Sequence, residues 1–297
     1  MSNKGGIMST ILNFFKRIVG IQTEDDSSNT TPTAIVTPTS AKKALCVGIN
    51  DYPGTQNDLS GCVNDCEEWG RLLVEKFGFG SVTKLINSQA TIAAVKEALT
   101  NLISSSQAGD VLAITYSGHG STVIDYNGDE PTGRDQTLYL YDGNLIDDEI
   151  RSILSKLPDG VNITIICDSC HSGTVTRAML TSRLKICGAP KPRYMPPKDA
   201  KEASLAASLP VRKRVFYTEN DMKEVLLSGC DSPEYSYDAS FDKPMGAFSY
   251  YATRILWKEQ NLTYEQFHNK LRKSLPNRQY PQTPQCEGAN KTKLMFA

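Results

Sequence analysis

One stretch decides the fold of this chain: residues 161–173 read Val-Asn-Ile-Thr-Ile-Ile-Cys-Asp-Ser-Cys-His-Ser-Gly. It begins as a run of β-branched apolar residues, which predicts a strand that is buried on both faces of a sheet. Small, polar and reactive side chains follow directly after this run. Residues 110–116 form a second apolar run, and Ser-Gly-His-Gly follows it at 117–120. Both runs therefore end in residues that carry chemistry.

His119 and Cys170 are the two reactive residues that follow these strands. Open α/β sheets place their chemistry beyond the carboxyl ends of neighbouring strands, so we expect the imidazole to lie beside the thiol. Gly118 and Gly120 permit a tight turn and the close approach of another backbone. A thiol with a neighbouring imidazole is the minimum equipment for nucleophilic catalysis by cysteine.

Strands and helices alternate along the chain, which predicts a parallel sheet with helices on both faces. An edge strand is also expected at the C-terminus. The predicted strands are 43–49, 82–86, 110–116, 137–141, 161–168, 224–230 and 291–297. The predicted helices are 59–77, 92–103, a helix from 147, 247–258 and 264–275.

Composition limits the class of protein. The chain has 297 residues, of which 39% are hydrophobic and 22% charged, so it can form a sizeable core. Its formal charge of −1 disfavours a nucleic-acid binder. Eight cysteines at irregular spacings favour a reducing compartment over a disulfide framework, and we expect a cytoplasmic protein. No apolar run reaches the about 18 residues that a membrane span needs.

The chain divides by composition into an N-terminal segment, 1–40, and a folded domain, 41–297. Residues 7–22 have helical spacing of apolar side chains, which indicates an amphipathic helix that docks on a protein or lies at a membrane surface. Residues 23–40 are rich in Ser, Thr and Pro, which is typical of a linker.

Several short motifs compete with the cysteine–histidine interpretation. Residues 167–171 match the C-x-x-C-H pattern of haem attachment and the C-x-x-C pattern of redox pairs, both of which match by chance often. Haem attachment requires export, for which no signal is visible. Residues 125–136 begin like an EF-hand loop but lack its glycine and its final glutamate. The many acidic residues between 125 and 149 either form a solvated face or hold a hard cation.

The two signatures at 116–120 and 168–173 together resemble those of the caspase-like cysteine peptidases, most closely the metacaspases and their prokaryotic relatives. The resemblance extends from about residue 42 to the C-terminus, and it implies that residues 1–40 are a short prodomain or recruitment segment. It includes Gly-Cys-Val-Asn-Asp at 61–65, Leu-Ser-Gly-Cys at 227–230 and Gly-Ala-Phe at 246–248. Several motifs in the same order are far more specific than either signature alone.

The resemblance implies a cysteine endopeptidase with a caspase-hemoglobinase fold, in which a mostly parallel six-stranded sheet has helices on both faces. Cys170 matches the nucleophile, and His119 matches the general base and acid of an acyl-enzyme mechanism. The backbone amides of Gly120 and Cys170 are the expected donors to the oxyanion. A catalytically silent caspase-like module that binds basic peptides is the alternative.

The resemblance also implies cleavage after Arg or Lys. The pocket for this residue, S1, matches Cys62, Asp65, Ser117 and Asp168 here. Two carboxylates in a pocket favour a basic side chain and disfavour an acidic one. Asp168 has an alternative interpretation as a residue that only forms the turn after its strand. The implied partners are protein or peptide substrates, and the family resemblance favours a monomer.

Two regulatory properties are implied by the same resemblance. Many relatives are activated by calcium, and Asp135, Asp147 and Asp148 match three of the ligand positions, whereas the fourth is Arg177 here. A cation in place of a carboxylate would weaken or abolish that site. Residues 172–214 are basic and rich in proline, and an enzyme that cleaves after Arg or Lys could process itself in this loop. The candidate sites of self-cleavage in a zymogen extend from 177 to 223.

Overall fold

A computed structural model of the chain describes residues 40–124, 134–170, 190–196, 222–231 and 234–297. Arg177 and the predicted helix at 7–22 lie outside the described residues. The strands in these ranges are β1 (Lys42–Gly48), β2 (Ser81–Ile86), β3 (Val111–Ser117), β4 (His119–Ile124), β5 (Arg134–Leu140), β6 (Gly143–Ile146), β7 (Asn162–Asp168), β8 (Lys191–Pro192), β9 (Glu224–Ser228), β10 (Tyr237–Ser240), β11 (Pro244–Gly246) and β12 (Gln285–Glu287). The helices are α1 (Cys62–Phe77), α2 (Ile92–Ser104), α3 (Asp147–Leu154), α4 (Ala247–Lys258) and α5 (Tyr264–Leu271).

The main sheet has six strands in the order β12-β9-β7-β3-β1-β2. All neighbouring strands are parallel except β12, which runs antiparallel to β9. Two three-stranded sheets, β4-β5-β6 and β11-β10-β8, lie outside it. The prediction of a mostly parallel six-stranded sheet is confirmed. In the described part of the chain, no helix is long and apolar enough to cross a membrane.

Side chains of the central strands alternate between two apolar cores. Along β1, Ala44 and Cys46 pack with α1, whereas Leu45 and Val47 pack with α2. This alternation follows from the period of two in a strand, and it places helices on both faces of the sheet. Helix α1 buries apolar side chains at helical spacing, among them Trp69, and ends at Gly78, whose φ of 71° suits a residue without a Cβ atom.

The predicted edge strand at 291–297 is wrong. The edge of the sheet is formed by β12, whose Cys286 pairs with Leu227 of β9. The last residues instead place the ring of Phe296 in the core on the α1 side, with its centroid 4.8 Å from that of Phe77. Because β12 already pairs with β9 at this edge, Met295 and Phe296 stabilise the fold by burial of their side chains.

Gly48 allows the end of β1 to pack closely against the start of α1. A Cβ atom at this position would lie 2.7 Å from the Cβ atom of Cys66 and would collide with the carbonyl oxygen of Cys62. We expect Gly48→Ala to lower the free energy of unfolding by about 1–3 kcal/mol, measured by urea denaturation. Gly80→Ala is the matched control, because a Cβ atom there meets no atom within 4 Å. Equal unfolding midpoints for the two variants would contradict this prediction.

Candidate active site

Strands β3 and β7 end side by side at the carboxyl edge of the sheet. Ser117 of β3 lies opposite Asp168 of β7, and His119 and Cys170 each follow two residues later. The backbones remain close beyond the strands, since a Cβ atom at Gly120 would lie 2.7 Å from the carbonyl carbon of Cys170. The imidazole and the thiol are therefore brought to the same edge, and both residues are buried.

The imidazole of His119 is held in one orientation by the loop after β1. Its Nε2 atom lies 2.7 Å from the carbonyl oxygen of Asn57. A carbonyl oxygen only accepts, so Nε2 carries the proton and Nδ1 is the unprotonated nitrogen of the neutral ring. Burial lowers the pKa of His119 to about 4, which favours this neutral form. Nδ1 has no hydrogen-bond partner among the described residues, so it is available as a base.

Tyr52, which lies in the same loop after β1, also contacts His119. Its hydroxyl accepts a hydrogen bond from the backbone N–H of His119 at 2.9 Å, and the two ring centroids are 4.9 Å apart. The hydroxyl of Tyr116 donates to the carbonyl oxygen of His119 at 2.7 Å. The backbone and the ring of this residue are thus both fixed by groups from neighbouring elements.

The thiol of Cys170 contacts the backbone of Ser236, the residue directly before β10. The N–H of Ser236 donates to Sγ at 2.9 Å, and Sγ donates to the carbonyl oxygen of the same residue at 3.3 Å. A backbone N–H at this distance can stabilise negative charge on a sulfur atom.

A buried arginine, Arg193, lies next to these two residues. Its side chain is 0% exposed, and its guanidinium contacts Asp65 at 2.7 Å, Asp238 at 3.0 Å and Asp168 at 3.1 Å. The three carboxylates come from α1, from the end of β7 and from β10. The three carboxylates form an acidic pocket, which binds the side chain of Arg193 through charge-assisted hydrogen bonds.

Helix α4 contributes a further positive potential to the pocket. The N–H of Gly246, directly before the helix, donates to Asp65 at 3.0 Å, and the N–H of Ser249 in its first turn donates to Asp168 at 3.0 Å. The positive end of a helix dipole stabilises carboxylates at this position. Burial nevertheless raises the pKa of Asp65 to about 7. Burial also acts on Asp238, but the Arg193 guanidinium and hydrogen bonds from Ser60 outweigh it and hold the pKa of that carboxyl below its usual range.

The backbone of the same arginine follows the cleft as an added strand. The carbonyl oxygen of Arg193 accepts from the amides of Gly120 at 3.0 Å and Cys170 at 3.2 Å, and its N–H donates to the carbonyl oxygen of Ser236 at 2.9 Å. Pro192 pairs with Tyr237 in an antiparallel ladder. The two amides that were expected to bind an oxyanion thus converge on one carbonyl oxygen, which belongs to the residue in the acidic pocket.

The other two residues of the predicted S1 pocket lie at the ends of α1 and β3. Cys62 begins α1 and Ser117 ends β3, and both are buried. Sequence reasoning missed Asp238, which lies in the short strand β10 that was not predicted and which belongs to none of the motifs. It also missed Asn57, which contributes only a carbonyl oxygen, a group that any residue has.

The carboxylates of the expected calcium site lie on two elements. Asp135 is in β5, and Asp147 and Asp148 begin α3, which follows β6, the partner of β5. Asp147 accepts a hydrogen bond from Arg151 at 3.4 Å. Within the described ranges, no group of three or more His, Cys, Asp and Glu side chains could hold a metal ion.

Sequence comparisons give the relatives of this chain. A family model described as metacaspase, peptidase C14 domain, matches residues 42–179. Metacaspase-4 of Arabidopsis thaliana is 45% identical over 141 residues, and this chain spans only 34% of its length. Metacaspase-1 of Schizosaccharomyces pombe is 31% identical and covers 82% of this chain, which spans 66% of that relative. Metacaspase-1B of Aspergillus oryzae is 30% identical over 299 residues, which cover 87% of this chain and 70% of that relative.

Solved structures agree with these relatives. A protein of Geobacter sulfurreducens has a TM-score of 0.67 at 28% identity, covering 86% of this chain and 98% of its own. Caspase-1 from Spodoptera frugiperda has a TM-score of 0.56 at 11% identity, covering 91% of this chain and 97% of its own, which shows the shared fold. By its sequence relatives and its caspase-like fold, this chain belongs to the metacaspase family.

Proposed function

We propose that this chain is a cysteine endopeptidase that cleaves peptide bonds after Arg or Lys. The observation that carries the proposal is the position of Arg193, whose side chain is in the acidic pocket while its carbonyl oxygen accepts from the amides of Gly120 and Cys170. In the usual notation this arginine is a P1 residue, the residue before the cleaved bond. The family membership supports the same class of reaction.

The reaction follows from the groups around that carbonyl. Nδ1 of His119 accepts the thiol proton as Sγ of Cys170 attacks the carbonyl carbon, and the two amides bind the oxyanion. The C–N bond then breaks, and the imidazolium gives its proton to the leaving amine. Water next attacks the thioester, with His119 accepting a water proton. This step releases the carboxylate product and the thiol.

Specificity for a basic P1 residue follows from the charge of the pocket. Asp65, Asp168 and Asp238 surround the guanidinium of Arg193, whereas an acidic side chain would meet three carboxylates of the same sign. Arg presents a planar fork that contacts several carboxylates at once, whereas Lys presents a compact point charge. We therefore expect both residues to be accepted, with Arg preferred.

The same position supports self-processing at the bond between Arg193 and Tyr194. This bond follows the residue in the pocket, and the N–H of Met195 donates to the carbonyl oxygen of Gly120 at 2.8 Å, so backbone contacts hold both sides of the bond. While this segment fills the cleft, another peptide cannot enter. Self-cleavage would therefore open the site in a zymogen.

The proposed activity predicts which peptides are cleaved. Fluorogenic peptides with Arg or Lys at P1 should be cleaved, a peptide with Asp at P1 should not, and Cys170→Ala should abolish activity. Asp65→Asn should lower kcat/KM for the Arg peptide by roughly 30-fold or more, because loss of one partner of a buried charge pair costs about 2–5 kcal/mol. Steady-state kinetics at pH 8 measure each value.

The pH dependence is a second readout of this prediction. Burial raises the pKa of Asp65 to about 7 with Arg193 beside it, and an emptied pocket lacks that cation. Because the deprotonated form of Asp65 binds the substrate cation, kcat/KM for the Arg peptide should rise with pH at or above this value. In Asp65→Asn, the part of this rise in kcat/KM that is due to the titration of Asp65 should be missing. If the wild-type chain binds Arg peptides but cleaves none of them, the peptidase proposal is wrong and the silent binding module takes its place.

A separate prediction concerns the site of self-cleavage. The purified full chain should yield fragments that end at Arg193 and begin at Tyr194, as read by intact-mass spectrometry. Arg193→Lys should keep this cut because the pocket accepts both basic residues. Arg193→Ala should lose it because the pocket then has no cation to bind.

Lys223→Ala is the matched control for this cut. Lys223 is also basic and lies within the range of candidate sites, but its Nζ atom donates to the carbonyl oxygen of Leu157, 3.0 Å away. This variant should be cut after Arg193 as the wild type is. If the wild-type chain is cut at other bonds while the 193–194 bond stays intact, the proposed site is wrong.

Calcium activation stays a prediction from the sequence resemblance. We expect free calcium to raise peptide cleavage by the wild-type chain, and Asp148→Ala to require a higher concentration. Asp159→Ala, which removes an exposed carboxylate, is the control and should respond as the wild type does. Equal activity of the wild type in excess chelator and in excess calcium would overturn the prediction.

A further inference from the structure

We propose that the cleft has a second cation site, for the residue two positions before P1, so that the preferred substrates carry the pattern Lys-Xaa-Arg. The site, S3, consists of the backbone carbonyl oxygens of Gln56 and Asp58. It deepens the proposed function, on which it rests, because it names the substrate class beyond the P1 residue.

Lys191 occupies this site. Its Nζ atom donates to the carbonyl oxygen of Gln56 at 3.3 Å and to that of Asp58 at a shorter distance. Lys191 pairs with Asp238 in the antiparallel ladder of β8 and β10. Arg193 directly follows β8, and its N–H donates to the carbonyl oxygen of Ser236 at 2.9 Å, so the extended backbone continues to this residue. Side chains two apart in a strand point to the same side, which explains how one extended peptide presents both cations to the cleft.

The turn that supplies these acceptors is fixed by its own hydrogen bonds. The N–H of Asn57 donates to the carbonyl oxygen of Gly54 at 3.2 Å, and the Asp58 carboxylate accepts from the N–H of Tyr52 at 3.0 Å. Two carbonyl oxygens that face one point accept from an ammonium group, which has three donors and no acceptor. They offer nothing to an apolar side chain and repel a carboxylate.

The turn formed by residues 56–58, here called the S3 turn, also holds the imidazole of His119. Asn57 lies between the two S3 residues in sequence, and its carbonyl oxygen accepts from Nε2 of His119 at 2.7 Å. A cation in S3 therefore anchors the turn that orients the proposed general base. An occupied S3 site should raise kcat as well as lower KM, because substrate binding and imidazole position depend on the same three-residue turn.

The test uses three peptides with a fluorogenic group after Arg: Pro-Lys-Pro-Arg, Pro-Met-Pro-Arg and Pro-Glu-Pro-Arg. Met matches Lys in length and lacks the charge. We expect kcat/KM to be about tenfold higher for Lys than for Met, the effect of one hydrogen bond from a charged group, and lowest for Glu. Equal values for the three peptides would overturn the S3 site alone. No cleavage of any of them would overturn the proposed function and this proposal together.

A variant of the turn provides the enzyme-side measurement. Gly54 has a φ of 95°, which an alanine rarely adopts, so Gly54→Ala should shift the turn. The readout is the Lys-to-Met ratio of kcat/KM, which does not depend on the amount of active enzyme. It should fall toward one in Gly54→Ala and stay unchanged in Gly80→Ala. An unchanged ratio in Gly54→Ala, in a chain whose overall activity has fallen, would overturn the assignment of the acceptors to this turn.

Discussion

The buried guanidinium of Arg193 is the charge on which the arrangement of the cleft depends. It contacts carboxylates from three elements, Asp65 of α1, Asp168 of β7 and Asp238 of β10. Transfer of carboxylates out of water is costly unless they are paired, and a cation in the same pocket offsets the cost. The N-terminus of α4 adds a partial positive charge, which does not neutralise three carboxylates. The pocket is therefore complementary to a basic side chain.

The same contact determines which peptide bond meets the reactive groups. With the guanidinium among the carboxylates, the carbonyl oxygen of Arg193 lies at 3.0 Å from the amide of Gly120 and 3.2 Å from that of Cys170. The side chain has a fixed length, so recognition at its end sets the position of the carbonyl at its start. In the proposed function, specificity and catalysis are thus joined by the geometry of one residue.

Much of the fold was predictable because burial leaves a periodic pattern in the sequence. The helix predicted at 247–258 is α4, and its start supports the pocket. The terminal edge strand was wrong because an apolar run indicates burial but not whether its backbone pairs or its side chains pack. Asp65 and Asp168 were found through the family motifs, whereas Asp238 was missed because it belongs to no motif and lies in the short strand β10, which was not predicted.

The sequence by itself determined the class of fold and brought His119 and Cys170 to one edge of the sheet. Strand periodicity and the abrupt ends of two apolar runs are local features, and neighbouring parallel strands end together. Only the tertiary structure decided that Arg193 lies among the carboxylates, since this arginine is one of many basic residues in its loop and lies 128 positions from Asp65. The physical reason is that charge pairing depends on distance through space, which no local pattern of residues records.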